Sequence, residues 1–294
     1  MAIVRDWRYQ IPMVSSAQPT HHGSKIDELR KHIRSMGSAL VCFSGGIDSA
    51  LVLAVTAHEL KDRALGLTAV SPSLPSEEKA EAERIAQSLD ARLEFVKSNE
   101  LDRPLYAQNG VDRCFHCKTE LYDIAERRRV ELGLNFILNG TNCDDLGDYR
   151  PGLDAARNAS VRSPLLELGF SKADVRAAAL ELGLDIWDKP AAACLSSRIP
   201  YGTSVTRERL AQIERFESGL KALGFRQVRV RWHEQIARIE LGADELRLAL
   251  PIRDDIVALG KASGFHYITL DLAGYRTGSH NELLEGKKLK LLGQ

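Results

Sequence analysis

The 294-residue sequence is short of several things, and each shortage closes off a class of function. It has no charge excess: forty Lys and Arg balance forty Asp and Glu, whereas general nucleic-acid binders carry a basic surplus. No apolar run approaches the ~20 residues that a membrane span needs, and the N-terminal stretch lacks the apolar segment of a secretory signal. A reducing, cytoplasmic setting is therefore expected. Five cysteines in so long a chain do not make a disulfide framework; in a reducing compartment they are core residues, metal ligands or nucleophiles. Internal repeats and low-complexity tracts are also missing. The expected partner is a small molecule, with no nucleic acid and no membrane, and the expected assembly is a homo-oligomer.

What is present centres on Leu40-Val41-Cys42-Phe43-Ser44-Gly45-Gly46-Ile47-Asp48-Ser49. An apolar run breaks into Ser-Gly-Gly, and a helical apolar pattern follows through Leu51, Val52 and Val55. This reads as a strand, a tight turn and a helix N-terminus. Glycine lets the backbone approach a ligand, and the helix start offers N–H groups to an anion. Ser44 and Ser49 add hydroxyls to the same concavity. The spacing and lysine of a Walker A loop are missing. The loop resembles that of the PP-loop ATP pyrophosphatases, which implies ATP bound at Ser44, Gly45, Gly46, Asp48 and Ser49, with Mg²⁺ offsetting phosphate charge. The plain alternative is a glycine turn between a core strand and a core helix.

Residues 1–23 carry no periodicity and read as an irregular extension. From 24 to 203 strands and helices alternate. Ser24 with Asp27 caps a first helix striped by Ile26, Leu29, Ile33 and Met36, and buried strands fall at Ala64–Val70, at Leu93–Val96 and at Phe136–Leu138. Such alternation predicts an α/β fold with a parallel sheet and with ligands beyond the carboxyl ends of the strands; the resemblance of the loop implies that it is a PP-loop (adenine nucleotide alpha hydrolase-like) domain. The texture changes near Pro200–Ser204. Residues 204–294 read as a smaller α+β domain: a helix from Thr206, a hairpin of Phe225–Trp232 with Ile236–Leu241, and a last strand at His266–Leu272. The Lys287–Lys290 tail reads as a solvated end.

Two groups outside the loop carry chemistry. Cys194 stands beside Ser197 and Arg198, in a polar setting where a cation favours the thiolate; Cys42 and Cys143 sit among apolar or small neighbours and read as small buried residues. Arg229 and Arg231 alternate with Val228 and Val230 on a predicted strand, so both guanidiniums share one face. An anion such as a phosphate suits them, and so does cross-strand pairing with Arg238 or Glu240.

Taken with Arg113-Cys114-Phe115-His116-Cys117-Lys118, Gly140-Thr141-Asn142, Asp148-Tyr149-Arg150-Pro151-Gly152, the Cys194–Gly202 block and Arg229-Val230-Arg231, the sequence resembles the LarE family over nearly the whole chain after position 24. LarE proteins are ATP-dependent sulfur transferases of nickel-pincer cofactor synthesis. The resemblance implies adenylylation of a carboxylate of pyridinium-3,5-biscarboxylic acid mononucleotide, then displacement of AMP by sulfur. It also implies Arg229 and Arg231 at the phosphate of that small-molecule mononucleotide, Phe115 stacked on the substrate, and Ser197, Arg198 and Glu217 as polar contacts. Cys194 is then either a sacrificed sulfur donor or, with Cys114 and Cys117, a ligand of a [4Fe-4S] cluster with one open iron. The cluster ranks first, the sacrificed Cys194 second, and zinc with a ligand such as His116 third; a thioredoxin-like Cys-x-x-Cys pair is a further alternative. A tRNA-thiolating PP-loop enzyme would add a basic surface, and a non-catalytic adenine-nucleotide sensor would release no pyrophosphate.

Overall fold

The computed structural model describes residues 24–147, 151–186 and 193–276. The 1–23 extension, Asp148-Tyr149-Arg150, the start of the stretch before Cys194 and the Lys287–Lys290 tail lie outside the described residues. Four parallel strands form the first sheet: β1 (Ala39–Cys42), β2 (Ala64–Val70), β3 (Leu93–Lys97) and β4 (Phe136–Leu138), in the order β3-β2-β1-β4. All four residues of β1 are buried, because helices cover both faces of the sheet. Ala39 and Val41 face a core made with the helices Lys25–Met36, Ile47–Leu60 and Lys172–Glu181. Leu40 and Cys42 face the opposite way, onto Tyr122 and Ala125 of the helix Arg113–Glu131 and onto Ala155 and Ala156. The chain runs outward from β1 through β2 to β3, then crosses back to place β4 on the other side of β1. The carboxyl ends of β1 and β4 therefore flank a switch point, where such sheets open a crevice.

The first helix carries the expected buried stripe of Ile26, Leu29, Ile33 and Met36, but its start differs from the sequence reading. The Ser24 hydroxyl donates to the Asp27 carboxylate (3.1 Å) and makes no capping bond to a backbone N–H. Ser171 forms a reciprocal capping box with Asp174 at the start of the helix Lys172–Glu181.

The second sheet has the order β5-β6-β7. The strands β5 (Val228–His233) and β6 (Ile236–Leu241) form the expected antiparallel hairpin, and β7 (Tyr267–Leu270) lies parallel to β6 after the crossover helix Arg253–Ala262. Leu210, Ile213, Phe216 and Leu220 of the helix Arg207–Ala222 pack on Val228, Val230, Ile239 and Leu241. Tyr106, Leu195 and Ile199, from earlier in the chain, join this second core. Glu214 further links the two parts by accepting from the backbone N–H (2.7 Å) and hydroxyl (2.8 Å) of Ser76, at the start of the helix Ser76–Ser88. No helix among the described residues is long and apolar enough to cross a membrane.

Ion pairs clip the first helix to the 162–174 segment. Lys25 meets Asp174 at 2.6 Å, and His32 and Arg162 both bind Glu167. Lys25, with the Ser171 hydroxyl and N–H, holds the Asp174 carboxyl down at about 2. Burial pushes Glu167 up, but Arg162, His32 and the Ser163 N–H outweigh it and take it to about 2. Both pKa values are depressed, so their contribution is complete above the unfolded carboxylate range, roughly 4, and disappears as pH falls toward 2. The urea midpoint should therefore drop through that window, and a Glu167→Gln/Asp174→Asn double variant should show a flatter decline. An equally steep decline in the double variant would place the acid-labile groups elsewhere.

Candidate active site

The Ser44–Ser49 turn begins one residue after β1, past Phe43, and ends in the helix Ile47–Leu60. Gly45 has φ +76°, which a side chain would strain, and Gly46 is the residue preceding the helix. The two serine hydroxyls are 3.1 Å apart. Ser44 N–H donates to Ser49 Oγ (3.2 Å), and Ser49 Oγ donates to the Gly46 carbonyl (3.0 Å). The loop is thus drawn around its own helix start, with the positive end of the helix dipole beneath it. The loop after β4 packs against the same helix start: a Cβ on Gly140 would stand 2.5 Å from Ser49 N and 2.7 Å from the Asp48 carbonyl carbon. Asn142 Nδ2 donates to Asp48 Oδ1 (2.9 Å), and Lys172 Nζ donates to Asp48 Oδ2 (2.6 Å). Sequence reading missed Lys172. Its one visible signal is its place directly after the Ser171 cap, and nothing in the spacing ties it to Asp48.

Cys114 and Cys117 lie in the first turn of the helix Arg113–Glu131, and Cys194 immediately precedes the turn Leu195–Arg198. Cys114 and Cys194 are exposed. Cys117 is pushed up to about 12, first by burial and then by the charge of Cys194, with Cys114 adding to it and Lys118 opposing. Burial also pushes Cys42 up to about 12, which fits its reading as a packing residue. His116 Nε2 lies 3.1 Å from Asp112 Oδ2, and among the described residues no group of three or more His, Cys, Asp or Glu is arranged to hold a metal ion. This goes against the zinc alternative with His116, and it equally gives Cys114, Cys117 and Cys194 no ready-made metal site. The all-sulfur donor set is the chemistry that an iron–sulfur cluster takes. Phe115 packs, half-buried, against the core on the Leu40 face of the sheet.

The arginines come together around the Cys194 turn. Arg198 and Glu217 form a buried two-point pair, Nε–Oε1 2.9 Å and Nη2–Oε2 2.9 Å. Arg198 Nη1 also donates to the carbonyls of Ala193 (2.7 Å) and Cys194 (2.9 Å) and to Ser197 Oγ (3.1 Å). Arg231 donates to the Ser197 carbonyl (2.9 Å) and to Glu240 (2.8 Å), so the cross-strand pairing is formed as well. The Arg229 guanidinium lies over the Tyr275 ring at 5.3 Å. Burial holds its pKa below the ordinary value, and Arg198 and Arg231 push the same way against Glu217 and Tyr275. Glu217, which resembles a surface helix residue in the sequence, is 4% exposed.

The sequence has known relatives. The Asparagine synthase family model matches residues 26–105, a stretch that contains the Ser44–Ser49 loop. A pyridinium-3,5-bisthiocarboxylic acid mononucleotide synthase of Lactiplantibacillus plantarum is 38% identical over 258 residues, covering 87% of this chain and 94% of that protein. An uncharacterised protein of Synechocystis is 43% identical over 265 residues, covering 89% and 98%. One of Methanocaldococcus jannaschii is 27% identical over 238 residues, covering 81% and 90%.

The contact between the two loops gives a test. Gly140→Ala forces the β4 loop off the helix start, and overpacking of this kind costs about 1–3 kcal/mol. If the strain falls on the loop, ATP affinity measured by calorimetry should drop on the order of tenfold or more. A variant that binds ATP like the wild type would show that the Gly140–Ser49 approach does not shape the site.

Proposed function

The chain belongs to the LarE family, and from that premise we propose that it adenylylates a carboxylate of pyridinium-3,5-biscarboxylic acid mononucleotide with ATP and then converts it to a thiocarboxylate. The observation that carries this reading is the pairing of an anion-binding turn at the switch point with an exposed Cys194 on an arginine-held turn. A carboxylate is a poor acyl donor. Its oxygen attacks the α-phosphorus of ATP, pyrophosphate leaves, and the resulting mixed anhydride has AMP as a good leaving group. A sulfur nucleophile then attacks the carbonyl carbon, the carbon–oxygen bond to AMP breaks, and the thiocarboxylate remains.

Each part of the site has a role in this reading. Ser44, Gly45, Gly46 and Ser49 receive the pyrophosphate end of ATP, and Lys172 stands ready to trade Asp48 for a phosphate oxygen. Mg²⁺ would neutralise phosphate charge, with Asp48 as the residue to hold it. Arg229 and Arg231 take the phosphate of the mononucleotide. Burial and like charges already depress the Arg229 pKa, so an anion there relieves what the fold imposes. Phe115 stacks on the pyridinium ring, while Ser197, Arg198 and Glu217 shape the contact around Cys194. Cys114, Cys117 and Cys194 would hold a [4Fe-4S] cluster, which supplies a sulfide at its open iron.

Two experiments test the reading. Incubated anaerobically with ATP and the acceptor, the protein should release pyrophosphate and then AMP, and Lys172→Met should slow pyrophosphate release. ADP in place of AMP would overturn the adenylylation. For the sulfur source, anaerobically prepared protein should be brown and contain iron and sulfide. Replacing any one of Cys114, Cys117 and Cys194 with Ala should remove both the colour and sulfur transfer while pyrophosphate release continues. Colourless protein, active once and left with dehydroalanine at 194 alone, would decide for the sacrificed cysteine.

A further inference from the structure

Three hydroxyls close a ring beneath the Cys194 turn. Tyr106 OH lies 2.7 Å from Ser73 Oγ and 2.7 Å from Ser196 Oγ, and Ser196 Oγ donates to Ser73 Oγ at 3.0 Å. Each hydroxyl has one proton to give and can accept one, so the three satisfy one another. All are buried, at 1% exposure for Tyr106, 4% for Ser73 and none for Ser196. Buried hydroxyls are costly without partners and specific in their geometry once paired. Filling this space needs no oxygens at all: a phenylalanine with two alanines would do it. The ring therefore calls for a reason beyond packing.

Its place suggests one. The three members come from separate segments: Ser73 follows β2, Tyr106 is in the short helix Pro104–Ala107, and Ser196 is in the turn that Cys194 leads into. The Leu195 N–H donates to the Ser73 carbonyl at 2.8 Å. The Ser196 carbonyl accepts from the buried Arg113 Nη1, also at 2.8 Å. The residues following Cys194 are thus bound to the carboxyl end of the parallel sheet, the side on which the Ser44–Ser49 loop lies. Burial first, and then the charges of Cys194 and Cys117, raise the Tyr106 pKa, which keeps the phenol a neutral donor.

We propose that the Tyr106–Ser73–Ser196 ring is a positioning device for sulfur transfer, fixing Cys194 against the nucleotide side of the sheet so that the second half-reaction depends on it and the first does not. This rests on the reading of Cys194 as part of the sulfur-transfer machinery. Tyr106 acts through the turn and touches no reacting atom.

Tyr106→Phe removes one oxygen and leaves the Ser73–Ser196 bond in place. In the full-length protein, under anaerobic conditions with ATP and the pyridinium mononucleotide, pyrophosphate release should stay near the wild-type rate. Thiocarboxylate formation should fall on the order of ten- to a hundredfold through kcat, with KM for the acceptor unchanged, as misplacement of a reacting group predicts. The rate at which iodoacetamide alkylates Cys194, followed by peptide mass, should also change. A Tyr106→Phe/Ser196→Ala variant should be no worse than the poorer single variant, because both act through one ring. Normal transfer in Tyr106→Phe, or a parallel fall of both half-reactions with the folded fraction, would overturn the proposal. Should Tyr106→Phe fail to fold, Ser73→Ala opens the ring from the other side and is judged by the same readouts. Wild-type protein that forms no thiocarboxylate would sink the functional reading instead. The ring would then be judged by Cys194 alkylation, which needs no substrate.

Discussion

Arg198 and Glu217 are both within a few per cent of complete burial, and taking two charges out of water is expensive. The fold offsets this with the two-point geometry and with two atoms, Glu217 Oε1 and Arg198 Nη1, that also bind outside the pair. Glu217 Oε1 also accepts from the Val230 N–H at 2.8 Å, which ties β5 to the helix Arg207–Ala222. Arg198 Nη1 gathers the Ala193 and Cys194 carbonyls and the Ser197 hydroxyl. One ion pair thus sets the position of the Cys194 turn relative to the second sheet. Its contribution lies in placement more than in stability, since an apolar pair of similar volume could be as stable, whereas removing either partner would leave an isolated charge costing about 3–5 kcal/mol.

The parallel sheet imposes the complementary constraint. Because β4 returns to the far side of β1, the loops after these two strands must share one crevice, and they do so at a distance only glycine allows. Asn142 and Lys172 then reach Asp48 from the segments that follow β4. This strand end thus brings together the N-terminus of the helix Ile47–Leu60 and the Lys172–Asp48 pair. A thiol meant to react needs exposure together with a firmly held backbone. Cys194 has the exposure itself and takes the firmness from Arg198, Arg231 and the Ser73–Tyr106–Ser196 contacts around it.

Much of the architecture was legible because it rests on local patterns. The wholly apolar β1, the Ser-Gly-Gly break, the stripe of Ile26, Leu29, Ile33 and Met36 and the alternation of Val228 and Val230 with Arg229 and Arg231 all act within a few residues. What stayed hidden depends on separation in sequence. Nothing near Glu217 shows that it faces Arg198, and Lys172 lies 124 positions from Asp48. Tyr106 resembles any aromatic residue in a short helix until Ser196, 90 positions away, meets its hydroxyl. Ser24 shows the reverse failure: the local pattern promised a backbone cap, and the hydroxyl found the Asp27 carboxylate instead.

Of the two sequence readings of Arg229 and Arg231, the arginine nest shows the cross-strand pairing directly. Arg231 is paired across the hairpin with Glu240, which is fully buried and also meets Arg238, itself bound to Asp271. Those carboxylates answer Arg231 and Arg238, and Glu217 answers Arg198. Arg229 adds a further guanidinium to this neighbourhood, its pKa depressed by burial first and then by the arginines beside it. Cross-strand pairing of Arg231 with Glu240 keeps the strand that carries both arginines in register. Pairing and phosphate binding were posed as alternatives, but Arg231 is paired with Glu240 while Arg229 lies on the same strand face over Tyr275, so the pairing of one does not take up the other.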